Sequence, residues 1–179
     1  ENAGFVTSDA QLAPLEAVLV IARLAELPLV VEASNSLLLA PELMAGLPRP
    51  IAVTMRPLSE PIKYLPIART LIAAAPTGVV AYALGQGAVA PVETLFAYPY
   101  GQLREPSEIT RIATFEDAYP ALLRRYRIAI AAEAAGLMSA ARDCVHEYVL
   151  ARQIFGKQLA SYQAVQHRLV NAAEVNEAT

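Results

Sequence analysis

No proline interrupts the chain between Pro120 and about Ile154. A stretch of that length is far longer than a strand and reads as one long helix. Leu122, Leu123, Tyr126, Ile130, Leu137, Val145 and Val149 supply an apolar stripe along it. The small residues Ala131, Ala132, Ala134, Ala135 and Gly136 allow a second helix to approach closely, as in a packed bundle. Asp117 is the candidate cap, and Pro120 falls in the first turn, where a missing N–H costs nothing. Gly156 is expected to end this helix and Ser161 to cap the next, in which Val165, Leu169 and Ala172 share a face. Whatever else the chain does, it must pack around this helix.

The sequence ahead of it divides in two. Residues 8–46 read as helical: Leu12, Leu15, Leu19 and Ala22 recur at helical spacing, with Glu16, Arg23 and Glu26 facing elsewhere. Ser8 or Asp9 caps the start and Pro28 stops it; a second helix runs from Ser34 to Ala45, with Gly46 as a left-handed terminator. Pro48 and Pro50 mark a change to short β-prone runs. Ile51–Met55 is one, and Leu71–Ala73 and Val79–Tyr82 flank a tight reversal at Pro76-Thr77-Gly78. Gly85-Gln86-Gly87 is a second reversal, Val92–Phe96 a further strand, and Tyr98-Pro99-Tyr100-Gly101 with Glu105-Pro106 a loop. The expected fold class is α+β, predominantly α. It comprises an N-terminal helical lobe (residues 1–47), a small antiparallel β module (48–116) and a segment of a long-helix C-terminal bundle (117–179). The last helix reaches Thr179 without a Gly cap, a Pro or a basic last turn, so we expect a cut within a helix, and an incomplete N-terminus as well.

Composition excludes several classes. With net charge −3, the chain has no basic field to attract nucleic acid, and its one basic cluster, Arg124, Arg125 and Arg127, reads as a solvated helix face. The single cysteine, Cys144, cannot form an internal disulfide, and neither His146 nor His167 has metal-ligand spacing, so a reduced, cytoplasmic, metal-free protein is expected. Thr70–Val92 is uncharged and long enough to span a bilayer, but Pro76, Gly78, Gly85, Gly87 and Pro91 break it into strands. Hydrophobic residues make up 55% of the chain against 17% charged, which leaves apolar surface for oligomer contacts.

The densest chemistry lies in residues 152–167, at the corner between the two C-terminal helices. Arg152 offers a permanently charged fork of donors suited to a diphosphate. Phe155 and Gly156 let the backbone turn sharply and approach a ligand. Gln163 adds donor and acceptor atoms in the first turn of the next helix, where N–H groups and the dipole also favour phosphate. The alternative is a stabilising helix hairpin in which Arg152 caps C-terminal carbonyls. Tyr148-Val-Leu-Ala-Arg152-Gln-Ile-Phe155-Gly156, followed by Tyr162-Gln163-Ala-Val-Gln166-His167, resembles the R-x-x-F-G … F-Q-x-x-Q-H signature of the acyl-CoA dehydrogenases, with Tyr162 in place of the commoner Phe. Ala132-Glu-Ala-Ala-Gly136-Leu-Met138 resembles that family's small-residue helix, and the chain order of helices, β module and long helices is also similar.

The resemblance implies FAD as cofactor, held partly by Arg152, Phe155 and Gln163 reaching across a subunit interface to a neighbour's flavin. It also implies an acyl-CoA substrate and electron-transfer flavoprotein as the default acceptor. Departures from the family pattern accompany it. The β module is short and lacks tryptophan; Leu58-Ser59-Glu60-Pro61 echoes the family's T-E-P stretch, which makes Ser59 a candidate flavin contact, with Thr54 a second. The following Gly-Ser-Asp turn is absent. The family's catalytic glutamate lies in most members beyond the segment matched here, and in some on the long helix, where the alignment places Tyr126, a poor base at neutral pH. Glu133 is several residues out of place and reads as an ordinary helix polar residue. The catalytic residue is therefore unassigned. Three readings follow: a fragment of an acyl-CoA dehydrogenase, a degenerate subunit of a heteromeric member resembling those that act on steroid side-chain thioesters, and a non-catalytic helical oligomerisation subunit without flavin.

Overall fold

The computed structural model describes residues 13–39, 46–95, 97–105 and 109–178. Helix α1 (Pro14–Ala25) starts on a proline, and the Glu16 carboxylate reaches back to the Ala13 N–H. The proposed caps Ser8 and Asp9 lie outside the described residues. The helix expected from Ser34 opens as a π-helical turn, Asn35–Leu39, and its continuation to Ala45 also lies outside them. Gly46, as expected, is left-handed, with φ 85°. Glu32 secures the π turn. Its carboxylate accepts the N–H groups of Asn35 (3.0 Å) and Ser36 (3.1 Å), the Ser36 hydroxyl (2.5 Å) and, from the neighbouring strand, the Ile51 N–H (3.4 Å).

Among the described residues nine strands follow in chain order: β1 (Ile51–Thr54), β2 (Ile62–Lys63), β3 (Thr70–Ala75), β4 (Gly78–Leu84), β5 (Val89–Val92), β6 (Tyr100–Leu103), β7 (Ile109–Phe115), and the short pair β8 (Gln153–Ile154) and β9 (Lys157–Gln158). The main sheet has the order β1-β3-β4-β7, a second has β2-β6-β5, and β8-β9 form a separate hairpin. The main sheet is mixed, which corrects the expectation of an antiparallel module: β1 runs parallel to β3, with Ile51 opposite Thr70. The cause is the excursion between them. The chain leaves β1, contributes β2 to the second sheet and returns, and such a crossover brings the next strand back in the same direction. The reversals at Pro76-Thr77 and Gly85–Gly87 are present. The strand expected at Val92–Phe96 ends at Val92 instead, and Tyr100-Gly101, read as loop, begins β6. The sequence reading holds no strand at β7, an edge strand whose residues Ile-Thr-Arg-Ile-Ala-Thr-Phe do not alternate, because its register against β4 is broken at Ile112 between Arg111 and Ala113.

The main sheet is covered on both sides, so β1 is buried throughout. On one face Ile51, Val53, Ile72, Val79 and Ala81 pack against Leu122 of the long helix α2 (Tyr119–Ala151). On the other Ala52 and Leu71 pack with Ile62 and Leu65, under Val89 and Leu103 of the second sheet. A third cluster joins Ala17 and Ile21 of α1 to Ala129 and Ala132 of α2. Helix α2 begins at Tyr119 behind Ala118, without a side-chain cap, so Asp117 does not serve as one. Its buried line also differs from the expected stripe. Leu122, Ala129, Ala132, Gly136 and Val149 face inward, while Ile130, Leu137 and Val145 are about half exposed. Small side chains lie inward because α1 crosses there at close range. A Cβ on Gly136 would meet the Ala25 Cβ at 2.8 Å and overlap the Ala22 carbonyl oxygen.

Candidate functional site at the helix corner

Helix α2 ends at Ala151, one turn short of the expected end. Arg152 still donates its N–H to the Tyr148 carbonyl (2.9 Å), but its ψ of 128° takes the chain out of the helix. Gly156 is therefore not a helix terminator. With Phe155 it forms the two-residue turn of the β8–β9 hairpin, in which Gln153 faces Gln158 and Ile154 faces Lys157. Both turn residues are left-handed, Phe155 at φ 52° and Gly156 at φ 76°, as tight hairpin turns require. Glycine does this freely; a phenylalanine does so only under strain.

The chain then closes on itself. The Leu159 N–H bonds the Arg152 carbonyl (2.8 Å), a 3₁₀ turn spans Leu159–Ser161, and helix α3 (Gln163–Glu177) starts behind Tyr162. Ser161 does not cap it; its hydroxyl donates to the Gln158 carbonyl (2.7 Å). The Tyr162 hydroxyl donates to the Ile154 carbonyl (2.9 Å) and the Gln166 amide to the Ala160 carbonyl (2.9 Å). Tyr162 thus uses its extra oxygen to tie helix to hairpin. These bonds hold a stiff corner whose outer groups are open. Arg152 and Gln163 are exposed, the Gln163 amide lies 3.5 Å from the His167 ring, and Phe155 is 93% exposed at the hairpin tip. Among the described residues the Arg152 guanidinium has no hydrogen bond or ion pair, and the first turn of α3 leaves N–H groups without intrahelical acceptors. The corner combines a fixed cation, a helix N-terminus and an open aromatic face. That donor set fits a dinucleotide diphosphate with an adjoining ring.

Thr54 and Ser59 lie in the β module. Thr54 is buried and its hydroxyl is engaged with the Arg56 backbone, accepting its N–H at 3.1 Å and donating to its carbonyl at 3.2 Å. Ser59 is exposed, and its carbonyl accepts the Gln102 amide (2.5 Å).

Glu133 is not an ordinary polar residue of a helix face. One carboxylate oxygen accepts the Ser34 hydroxyl and the other accepts Lys63 Nζ at 2.8 Å. Those partners are 99 and 70 residues away in sequence, so no local pattern announces the cluster. Tyr126, about two turns earlier on the same face of that helix, is half-buried. Burial first, then the negative charge of Glu133, pushes its phenol above the usual tyrosine value, further from service as a base.

Residues 118–178 match the family model of the acyl-CoA dehydrogenase C-terminal domain. The chain has an acyl-CoA dehydrogenase fold. The ChsE4-ChsE5 complex of Mycobacterium tuberculosis superposes with a TM-score of 0.62 at 18% identity, over 92% of this chain and 58% of that one. An acyl-CoA dehydrogenase of Slackia heliotrinireducens gives 0.62 at 15% identity over the same shares. A putative acyl-CoA dehydrogenase of Mycobacterium smegmatis gives 0.54 at 16%, over 72% and 45%. The chain spans 58% of the length of the first of these relatives. No curated protein matches it significantly in sequence. The family-model match covers the whole corner, so Arg152, Phe155 and Gln163 sit within the matched acyl-CoA dehydrogenase domain. No described helix is long and apolar enough to cross a membrane.

Proposed function

We propose that this chain is a subunit or fragment of a FAD-dependent acyl-CoA dehydrogenase. In this reading the enzyme carries out α,β-dehydrogenation of an acyl-CoA thioester, and the chain contributes the Arg152, Phe155 and Gln163 corner to a flavin site at a subunit interface. The observation that carries the proposal is that corner: a guanidinium with no hydrogen bond or ion pair among the described residues, beside a helix N-terminus, on a backbone braced from within. Bound flavin would supply the hydride acceptor. The work of this chain is to hold it. Arg152 neutralises diphosphate charge, the first turn of α3 adds N–H donors, Gln163 adds an amide, and Phe155 offers a ring face for stacking.

The same geometry bears on the proton removed from the α-carbon. Tyr126 is pushed away from basicity and Glu133 is engaged by Lys63 and Ser34, so neither is free to accept it. The base then comes from a further segment or a partner chain, which favours a homologous partner in a homo- or heterotetramer. The heteromeric ChsE4-ChsE5 complex among the structural relatives supports that arrangement.

The test is Arg152→Ala in the full-length assembly, followed by flavin absorbance per chain and far-ultraviolet circular dichroism. Loss of a charge-assisted phosphate contact lowers flavin affinity by about tenfold or more, with helicity unchanged. Equal loss of both signals would overturn the cofactor role. A colourless wild-type assembly would leave the helical oligomerisation subunit, which the exposed Leu137, Val145 and Tyr148 of α2 would suit.

A further inference from the structure

Lys63 is held in a cage assembled from the N-terminal lobe, the β module and α2. Its ammonium lies 2.8 Å from a Glu133 oxygen on α2, 3.8 Å from the centre of the Tyr98 ring and 4.8 Å from the centre of the Tyr64 ring. The two rings meet edge to face at 5.7 Å and 81°. The second Glu133 oxygen is occupied by the Ser34 hydroxyl, from the start of the π turn. The Tyr64 hydroxyl donates to the Val31 carbonyl at 3.0 Å, which fixes that ring against the N-terminal lobe. Tyr64 itself is fully buried and left-handed, with φ 65°, a conformation that a bulky residue keeps only where its surroundings enforce it. A cavity of about 20 Å³, bounded by Ile21, Leu24, Tyr64, Tyr98 and Glu133, adjoins the cage and has room for about one water.

A carboxylate with two aromatic faces around one ammonium is how proteins recognise alkylammonium ligands. We propose that Ser34, Tyr64, Tyr98 and Glu133 form an alkylammonium-binding site whose resident ligand is the chain's own Lys63. The tethered amine is present at a high effective concentration, so it excludes free amines. Its occupancy latches the N-terminal lobe, the β module and α2 together at the point where they meet. It also keeps both Glu133 oxygens engaged. The inference is independent of the flavin reading and stands or falls without it.

Two experiments test it. The chain has two lysines, Lys63 and the exposed Lys157 on the β9 strand, so Lys157 is an internal reference. Under limiting acetic anhydride, mass spectrometry of the wild-type protein is expected to show Lys63 modified at least about tenfold more slowly than Lys157. Glu133→Gln is expected to bring the two rates within about twofold. Equal rates in the wild type would overturn the proposal. In the second experiment, Lys63→Ala empties the cage. n-Butylammonium is expected to raise its melting temperature saturably by about 2–4 °C, leaving wild type and Lys63→Ala/Glu133→Gln unmoved, while n-butanol does nothing. An equal response of wild type and variant, or no response of Lys63→Ala, would overturn it; if Lys63→Ala does not fold, the acylation rates decide alone.

Discussion

Gly136 of α2 lies against the backbone of Ala22 in α1, so close that a Cβ at position 136 would overlap the Ala22 carbonyl oxygen. This contact sets the spacing of the two helices and explains why alanine and glycine, not the larger apolar residues, face inward along that part of α2.

Gly136→Ala is therefore expected to destabilise the protein by about 3 kcal/mol, although alanine is the better helix former. The obstacle is main chain and cannot rotate away. Ala25→Gly removes the neighbouring Cβ at 2.8 Å but not the carbonyl, so it will not rescue the variant. Urea unfolding of the single and double variants checks both statements.

Phe155 holds a left-handed conformation with its ring 93% exposed. Its side chain contributes almost no packing within the chain, and its backbone is strained. Asparagine tolerates that conformation, and Asn-Gly is the preferred pair for such a turn. Phe155→Asn is expected to stabilise the fold by about 1 kcal/mol while lowering flavin retention of the full-length assembly. Thermal unfolding and flavin absorbance on the same preparation would show the two moving in opposite directions. A loss of stability would show that the ring packs within the chain.

Glu32 is partly buried, and that burial raises its carboxyl above the ordinary value of 4.5 despite the four hydrogen bonds it accepts. A group whose folded-state value is raised favours the fold most when protonated. Its contribution is fully present below the unfolded value and is lost as pH rises through the folded value. Glu32→Gln removes that dependence together with part of the acceptor set. The stability advantage of wild type over Glu32→Gln is expected to be largest near pH 4 and to shrink toward pH 7, as read from urea midpoints at the two values.

Much of the architecture was legible in the chain because its signals are local. Pro48 and Pro50 marked the passage from helix to strand, Pro76-Thr77 and Gly85–Gly87 marked reversals, and the proline-free run after Pro120 marked α2. The residues proposed for the corner were picked out for the same reason, since Arg152, Phe155 and Gln163 fall within twelve consecutive residues. The fine chemistry of its ends was not. Ser161 and Asp117 have the composition of helix caps, yet Ser161 bonds a nearby carbonyl and α2 starts beyond Asp117. Gly156 has the composition of a helix terminator, yet it turns a hairpin because Gln153–Ile154 pairs with Lys157–Gln158.

The sequence by itself determined where the long helix α2 lies, where helix gives way to strand and where the main reversals fall, because propensity and periodicity act over a few neighbouring residues. Only the tertiary structure decided that β1 runs parallel to β3, that α2 turns its small residues inward, and that Glu133 joins Ser34 and Lys63. Those outcomes depend on which distant surfaces come into contact, and burial, not local pattern, then fixes the partner of each polar group.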